Sequence, residues 1–300
     1  MSGQTIDRAT YRRFYAEEIE AVARLSSPAL VNALATVPRE QFLPPGPWTV
    51  LAESDVLAGL PAGGGMRTRT TADADPRRVY HNVAIAIDAS RLLFNGQPST
   101  LCSWIDAIDL RPGMRLLHVG CGLGYYTAVM AHCVGPTGRV VAFDVDEALA
   151  AAARRNLLDL PWIEVRHGDA SQLGRSAFDA IVVNAGVPHP LDAWLEGLVA
   201  GGRMILPMTA TMPAMGSTIG KGLVFLLAKQ NTGDFAVQVI ALVAIYSAIG
   251  VRDEALNTRL GKALMAGPTH WQHISRLRRD AHDHGPSCWL HAERFCLSLG

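Results

Sequence analysis

The feature that most constrains this chain is an alternation of short apolar runs with segments of helical period, beginning at residue 115. Helices that connect neighbouring apolar strands are what crossovers in a parallel sheet require. The alternation therefore predicts an α/β fold with a Rossmann-like, doubly wound sheet that is mostly parallel. The predicted strands are Leu116–Val119, Arg139–Asp144, Ile163–Asp169, Phe178–Gly186 and Arg203–Met208.

Segments on either side of this core extend the prediction. Residues 7–36 have the spacing of two helices, with Ser27 as a cap and Pro28 in the first turn of the second helix. The run 222–230 and the apolar run 235–251, joined by a turn with Gly233, predict an antiparallel hairpin of buried strands. The second run is too short and too β-branched for a membrane span.

The remaining segments complete a three-part organisation. Residues 60–76 contain three consecutive glycines and predict a loop, and residues 252–300 predict two helices, at 256–267 and 271–282, and a final short strand. The predicted parts are an N-terminal region of helices and a glycine-rich loop (1–78), a nucleotide-binding domain (79–250) and a C-terminal extension (251–300).

Composition excludes several classes of function. Basic and acidic residues are equal in number, 27 each, so the chain has no excess positive charge for a nucleic acid partner. The five cysteines are odd in number and widely spaced, which favours a reduced, cytoplasmic location over a secreted disulfide framework. No apolar signal segment is present at the N-terminus, and no membrane partner is expected. The composition does not define the oligomeric state.

The segment from Val119 to Tyr125, VGCGLGY, follows a predicted strand and opens a predicted helix. Glycines there let a ligand approach the backbone. Asp144 ends the second strand, where it can accept hydrogen bonds from two ribose hydroxyls, and Asp169 ends the third, where it can bind an adenine amino group. The alternatives are an ordinary tight turn and two aspartates that cap the following helices.

The chain resembles protein-L-isoaspartate O-methyltransferases from about residue 19 to residue 230. The motifs that carry the resemblance are VPREQFLP (37–44), HVGCGLGYYTAVMA (118–131), GRVVAFD (138–144), GDA (168–170), FDAIVVNAG (178–186) and GGRMILP (201–207). The resemblance implies a methyltransferase that uses S-adenosylmethionine and releases S-adenosylhomocysteine. The cofactor-binding residues it implies are Gly120, Cys121, Gly122, Gly124, Tyr125, Asp144, Val145, Asp169, Ala170 and Asn184.

The acceptor loop departs from the family pattern. That loop reads Gln-Thr-Ile-Ser-Gln-Pro in the family, and aligning Gln97-Pro98 with its Gln-Pro puts Phe94 at the threonine and Gly96 at the serine. Because buried polar groups discriminate between polar substrates, the loss of two hydroxyls predicts a changed acceptor. The candidate catalytic residues are His81, Asn95, Gln97, Ser99 and His189.

The resulting hypothesis is methyl transfer to a carboxylate, or another oxygen, of a peptide or small molecule. The alternatives are isoaspartyl methylation, N- or C-methylation of a small molecule, and an adaptor that binds the cofactor without catalysis. His282, His284, Cys288 and His291 lie close together in the sequence, but their spacing matches no common zinc module, and we expect no metal ligands.

Overall fold

The structure is a computed structural model, and it describes residues 7–52, 68–91, 93–173, 176–211 and 218–300. These residues form two compact units. The first comprises residues within 1–113, 121–139 and 146–165, and the second comprises residues within 114–120, 140–145 and 166–300. The glycine-rich part of the predicted loop, up to residue 67, lies outside the described residues. The three-part domain organisation stays a prediction.

The first unit begins with the predicted pair of helices, α1 (Arg8–Ala23) and α2 (Pro28–Thr36). The Ser27 side chain accepts a hydrogen bond from the Leu30 N–H at 3.3 Å, and Pro28 occupies the first helical position, where its missing N–H costs nothing. The apolar faces are buried, with Ile19 and Leu34 fully so. Both the helices and the cap were correctly predicted.

A small four-stranded sheet follows in the same unit, in the order β2-β1-β3-β4. Its strands are β1 (Thr49–Leu51), β2 (Arg69–Thr70), β3 (Ala84–Asp88) and β4 (Leu93–Phe94). Single turns of 3-10 helix at Arg39–Phe42 and Pro76–Val79 precede β1 and β3. Three longer helices complete the unit: α3 (Pro98–Ala107), α4 (Tyr125–Val134) and α5 (Glu147–Asn156).

The second unit is built on the predicted Rossmann-like sheet. The strands that correspond to the prediction are β5 (Arg115–Val119), β6 (Arg139–Asp144), β7 (Ile163–His167), β8 (Phe178–Val183) and β9 (Leu198–Ala210), and β7 is the edge strand. The pairs β5–β8 and β8–β9 are parallel, and the short helix α6 (Asp192–Gly197) lies between β8 and β9 in the chain. This confirms the predicted fold class.

The predicted hairpin is β10 (Ile219–Lys229) paired antiparallel with β11 (Phe235–Tyr246). The prediction that the run 235–251 is buried was wrong for its second half, since Leu242 is 71% exposed and Ile249 is 69% exposed. One face of β11 carries apolar side chains that the described residues leave uncovered. No described helix has the length and apolar character to cross a membrane.

The C-terminal extension differs from the prediction. Helix α7 (Glu254–Met265) lies where the first helix was predicted, but after the short helix α8 (Pro268–Trp271) the chain forms strand β12 (Ile274–Arg278) instead of a second long helix. Pairing of β12 with β11 and with β14 overrides its helical spacing. Strands β13 (Cys288–His291) and β14 (Cys296–Leu299) complete a sheet of order β13-β14-β12-β11-β10-β9-β8-β5-β6-β7.

Candidate functional site

The carboxyl ends of the central strands come together at one edge of the sheet in the second unit. The Gly120 N–H donates to the Phe143 carbonyl at 2.8 Å, and the Gly168 N–H donates to the Asp144 carbonyl at 2.9 Å. The Asn184 side-chain amide donates to the Gly120 carbonyl at 3.4 Å. Three residues of the predicted cofactor set are therefore neighbours, at the place where open α/β sheets bind ligands.

Three glycines of the loop after β5 have close neighbours that differ from one glycine to the next. Gly120 has a φ of +78°, and a Cβ there would lie 3.1 Å from the Asn184 carbonyl oxygen. In the first unit, a Cβ at Gly122 would lie 3.3 Å from Ile87 Cδ1, and one at Gly124 would lie 2.9 Å from Leu157 Cδ1. Gly122 and Gly124 have φ values of +56° and +95°, so all three positions have the positive φ that favours glycine, and close neighbours add to that preference.

The two aspartates have different local roles. Asp144 is 8% exposed, and helix α5 after it is capped by Asp146, whose side chain accepts from the Leu149 N–H at 3.1 Å. The capping alternative for Asp144 was therefore wrong. The capping alternative for Asp169 is confirmed, because its carboxylate accepts from the Ser171 N–H at 2.8 Å. An ionised carboxylate offers about four acceptor sites, so Asp169 can bind a further donor.

Other residues of the predicted cofactor set differ in what they can offer. Val145 is 42% exposed, which leaves an apolar side chain for a ring to pack on. Tyr125 is 3% exposed and its ring packs against those of Phe42 and Tyr126, so its side chain belongs to the core. Burial raises the pKa of Tyr125 well above its ordinary value. What Tyr125 can offer a ligand is its backbone N–H at the start of α4.

Two further residues of the predicted cofactor set are Cys121 and Ala170. Cys121 is 6% exposed and follows Gly120 directly in the chain, so it offers backbone groups more readily than its thiol. The Ala170 carbonyl accepts from the indole N–H of Trp194 at 3.0 Å, and Ala170 is 3% exposed. The roles of both in cofactor binding stay predictions.

The predicted acceptor residues form a hydrogen-bonded network in the first unit. The Asn82 side chain donates to Ser99 Oγ at 3.0 Å and accepts from the Ser99 N–H at 2.9 Å. The Gln97 side chain donates to the Asn82 carbonyl at 2.6 Å, and Asn95 Oδ1 accepts from the Ile85 N–H at 2.9 Å. Asn95 Nδ2 is buried and has no hydrogen-bond partner among the described residues.

The two positions that depart from the family pattern have structural explanations. Phe94 is 9% exposed and packs with Leu51, Ala84 and Ala86 in the core of the small sheet. Gly96 has a φ of +86°, and a Cβ there would lie 2.8 Å from Leu101 Cδ2. The aromatic ring therefore contributes to the stability of the small sheet, and this backbone conformation excludes a serine at residue 96.

The two histidine candidates are placed differently. His81 is exposed, in the loop before β3. His189, in the second unit, has Nδ1 at 3.0 Å from the Pro190 carbonyl oxygen, and its ring stacks on Phe295 with 6.5 Å between centroids. These contacts give His189 a structural role.

A cavity of about 460 Å³ opens in the first unit. Its walls include Trp48, Ile87, Asp88 and Arg91, together with the start of α5 at Asp146. Arg91 Nη1 lies 2.5 Å from Asp146 Oδ2, and the Arg91 guanidinium lowers the pKa of the Asp146 carboxyl. Because the Ile87 side chain lies against Gly122, the cavity borders the glycine-rich loop.

Comparison with known proteins identifies the family. The family model of protein-L-isoaspartate(D-aspartate) O-methyltransferase matches residues 67–236, more than half of the chain. The chain belongs to this family. It is therefore an S-adenosylmethionine-dependent methyltransferase, which confirms the predicted enzyme class and cofactor.

Individual members of the family support this assignment. A protein-L-isoaspartate O-methyltransferase of Pectobacterium atrosepticum is 36% identical over 146 residues, which are 47% of this chain and 68% of the relative. One from Pectobacterium carotovorum is 31% identical over 181 residues, covering 59% and 80%.

Solved structures share the fold. A protein-L-isoaspartate O-methyltransferase superposes with a TM-score of 0.61 at 23% identity, covering 85% of this chain and 68% of that one. A Plasmodium falciparum protein described as a member of the same family, in complex with S-adenosyl-L-homocysteine, gives a TM-score of 0.57 at 16% identity, covering 79% and 97%.

One buried residue that holds the segment next to the candidate acceptor residues was not predicted from the sequence. Arg39, in the motif VPREQFLP, is fully buried and donates to the carbonyls of Val79 and His81 at 2.7 and 2.9 Å and to that of Val83 at 2.7 Å. It holds the segment that leads into β3. The motif was noted as a family feature, but sequence alone does not reveal that its arginine binds carbonyls about forty residues away in the chain.

Proposed function

We propose that this methyltransferase esterifies a carboxylate of a peptide or protein, with the free carboxylate of an aspartyl or isoaspartyl residue as the acceptor. The observation that carries the proposal is the cavity that borders the glycine-rich loop through Ile87. A methyl acceptor must reach the methyl group held at that loop, and a cavity of several hundred cubic ångströms is the size of a side-chain or small-ligand site.

The cofactor would be held by the residues predicted from the sequence. Asp144 would accept the ribose hydroxyls, Val145 would pack against the adenine, and Asp169 would accept from its amino group. Gly120 and Gly122 have no side chain and have φ values of +78° and +56°, so a ligand could approach their backbone closely. When bound, S-adenosylmethionine supplies a methyl group already activated by the positive sulfur.

The remaining work of the protein is to position the acceptor and to exclude water. Such positioning can lower a reaction barrier by roughly 7 to 11 kcal/mol. A carboxylate is deprotonated near neutral pH and needs no general base. The histidine candidates are in keeping with this, since His189 is engaged in structural contacts and His81 is exposed.

The segment 79–99, which contains most of the candidate catalytic residues and is called the acceptor segment below, favours a polar substrate. Asn95 Nδ2 is a buried donor that lacks a hydrogen-bond acceptor among the described residues, and a carboxylate oxygen could be that acceptor. Ser99 retains a hydroxyl in the same segment, held by Asn82. A small molecule with a reactive oxygen is the second candidate, and it is favoured by the missing hydroxyls at Phe94 and Gly96.

The test is an incubation of the purified protein with methyl-labelled S-adenosylmethionine and an isoaspartyl peptide, with the matched aspartyl peptide as a control. We expect a base-labile methyl ester on at least one of them. Transfer to the isoaspartyl peptide alone would identify isoaspartyl methylation.

Cofactor binding without an ester on either peptide would contradict a simple aspartyl or isoaspartyl acceptor and would support the small-molecule candidate. A base-stable product would indicate methylation of nitrogen or carbon instead. The variant Asn95→Asp, which replaces the buried donor with an acceptor, would be expected to raise the KM for the peptide without changing the affinity for the cofactor.

A further inference from the structure

Four metal-binding side chains converge in the C-terminal part of the second unit. One ligand atom from each of His282, Cys288, His291 and Cys296 lies within 4.8 Å of all the others. In a tetrahedral zinc site the ligand atoms lie about 3.3 to 3.8 Å apart, as follows from Zn–N and Zn–S distances of about 2.0 and 2.3 Å. Small side-chain rotations would therefore suffice to enclose an ion.

The pairing of β13 with β14 brings three of the four together. His291 is directly opposite Cys296 in the antiparallel register. Cys288 and His291 are three residues apart and would face opposite sides of a regular strand. A register shift between Cys288 and Leu290 adds the irregularity that puts both on the same side.

His282 comes from the segment between β12 and β13, and its orientation is fixed by a second contact. Its Nδ1 lies 2.9 Å from the Asp280 carbonyl oxygen, which can only accept, so Nδ1 carries the proton. The other ring nitrogen, Nε2, lies 3.7 Å from Cys288 Sγ. A backbone carbonyl that orients a histidine in this way is the usual outer-shell partner of a zinc ligand.

The surroundings of Cys288 and His291 also suit metal ligands. The Gly285 N–H donates to Cys288 Sγ at 3.3 Å, which helps to fix the position of that sulfur. His291 Nδ1 is buried and lacks a hydrogen-bond partner in the described part of the chain. A polar atom in that position needs a partner that the described residues do not provide.

We propose that these four residues form a structural zinc site. Two thiolates and two imidazoles in a tetrahedral arrangement are a donor set that selects zinc, and four protein ligands leave no open position for catalysis. The site would tie the segment 279–287 to the β13–β14 hairpin. This assignment is independent of the methyl acceptor.

No metal ligands were predicted from the sequence, and the set of four residues that lie close together in the sequence differs from this one. Cys296 was not part of that set, because the strand pairing that brings it to His291 is not visible in the sequence. His284 was part of it, but its ring centroid lies 5.8 Å from that of His291 and it is not one of the four converging residues.

The experiment is metal analysis of the full-length protein, purified under reducing conditions without an affinity tag that binds metal. We expect about one zinc per chain after dialysis. Replacement by Co²⁺ should produce the intense visible bands of tetrahedral cobalt together with a thiolate-to-cobalt charge-transfer band.

Variants distinguish zinc bound by these four residues from zinc bound adventitiously elsewhere. Cys288→Ser and His291→Ala should lose the zinc and the cobalt bands, whereas His284→Ala and Cys133→Ser should keep both. Chelation should lower the Tm of the wild type and of the two control variants, but not that of Cys288→Ser.

Three results would overturn the proposal. The first is wild-type protein that holds no zinc even after incubation with zinc under reducing conditions. The second is a disulfide between Cys288 and Cys296 in reduced, folded protein, found by mass spectrometry. The third is cobalt spectra unchanged by Cys288→Ser and His291→Ala together. Because the wild-type cobalt spectrum is itself diagnostic, the test does not depend on the variants folding.

Discussion

The sheet edge in the second unit and the acceptor segment 79–99 in the first are built by different means. At the sheet edge, backbone bonds from Gly120 to Phe143 and from Gly168 to Asp144 bring the predicted cofactor residues together. The segment 79–99 is paired through the backbone in β3 and β4, but its loops are held by side chains, through Arg39 and the pair Asn82–Ser99. Backbone bonds survive most substitutions, whereas side-chain bonds are lost with the residue.

This difference explains where the chain keeps the family pattern and where it departs from it. The motifs at the carboxyl ends of the strands resemble those of the family, while Phe94 and Gly96 stand where the predicted alignment puts hydroxyl residues. Phe94 lies in the core of the small sheet, and Gly96 has a positive φ, a conformation that suits glycine.

The largest expected effect tests the sheet edge. Asp144→Ala removes the carboxylate proposed to bind two ribose hydroxyls, and each hydrogen bond to a charged group contributes roughly 1.5 to 3 kcal/mol. We expect the affinity for S-adenosylhomocysteine to fall by about 100-fold or more, measured by calorimetry. The exposed Asp159, changed to Ala, is the control. Equal affinities of Asp144→Ala and wild type would remove Asp144 from the site.

The second prediction tests the side-chain construction of the acceptor segment. Arg39→Lys replaces a guanidinium that donates to three carbonyls with an ammonium that cannot reach all of them. We expect a loss of about 3 kcal/mol in the free energy of unfolding, measured by urea denaturation. Arg12→Lys is the matched control, because Arg12 donates to one carbonyl, that of Ala35. If both variants lost the same small amount, Arg39 would not hold the segment.

The third prediction uses pH to examine the sheet below the Gly120 loop. His118 in β5 is 1% exposed, and burial lowers its pKa from 6.5 to about 4. The imidazole is neutral in the folded protein, so its contribution to stability is fully present above pH 6.5 and is lost as the pH falls towards 4. The loss can reach roughly 3 kcal/mol.

The measurement is the free energy of unfolding between pH 7 and pH 4, compared between wild type and His118→Gln. The variant should show a flatter decline over this range, because it has no group to protonate at that position. His270→Gln, at an exposed position, should decline as the wild type does. Parallel curves for wild type and His118→Gln would contradict the lowered pKa.

The smallest expected effect tests whether the sheet edge and the acceptor segment act separately. Ser99→Ala removes the hydroxyl that accepts a hydrogen bond from Asn82. We expect the free energy of unfolding to fall by about 1 kcal/mol. We expect the KM for the peptide to rise by roughly fivefold while the affinity for the cofactor stays unchanged. The control is Ser103→Ala, whose hydroxyl donates to the Thr100 carbonyl within the same helix. A loss of cofactor affinity instead would mean that the two regions do not act separately.

Local patterns in the sequence were enough to predict the parallel strands, the first two helices with the Ser27 cap, and the β10–β11 hairpin. Hydrophobic period and cap residues act within a few positions, so they are visible without a structure. The resemblance of the motifs supplied the family, and the family model confirms it.

Contacts between distant residues were decided by the tertiary structure alone. Strand pairing turned residues 274–278 from a predicted helix into a strand, and burial made Tyr125 a core side chain. Arg39 reaches carbonyls forty and more positions away, and β13–β14 pairing places Cys296 opposite His291. Pairing and burial depend on which segments meet in space, and no local pattern in the chain specifies those partners.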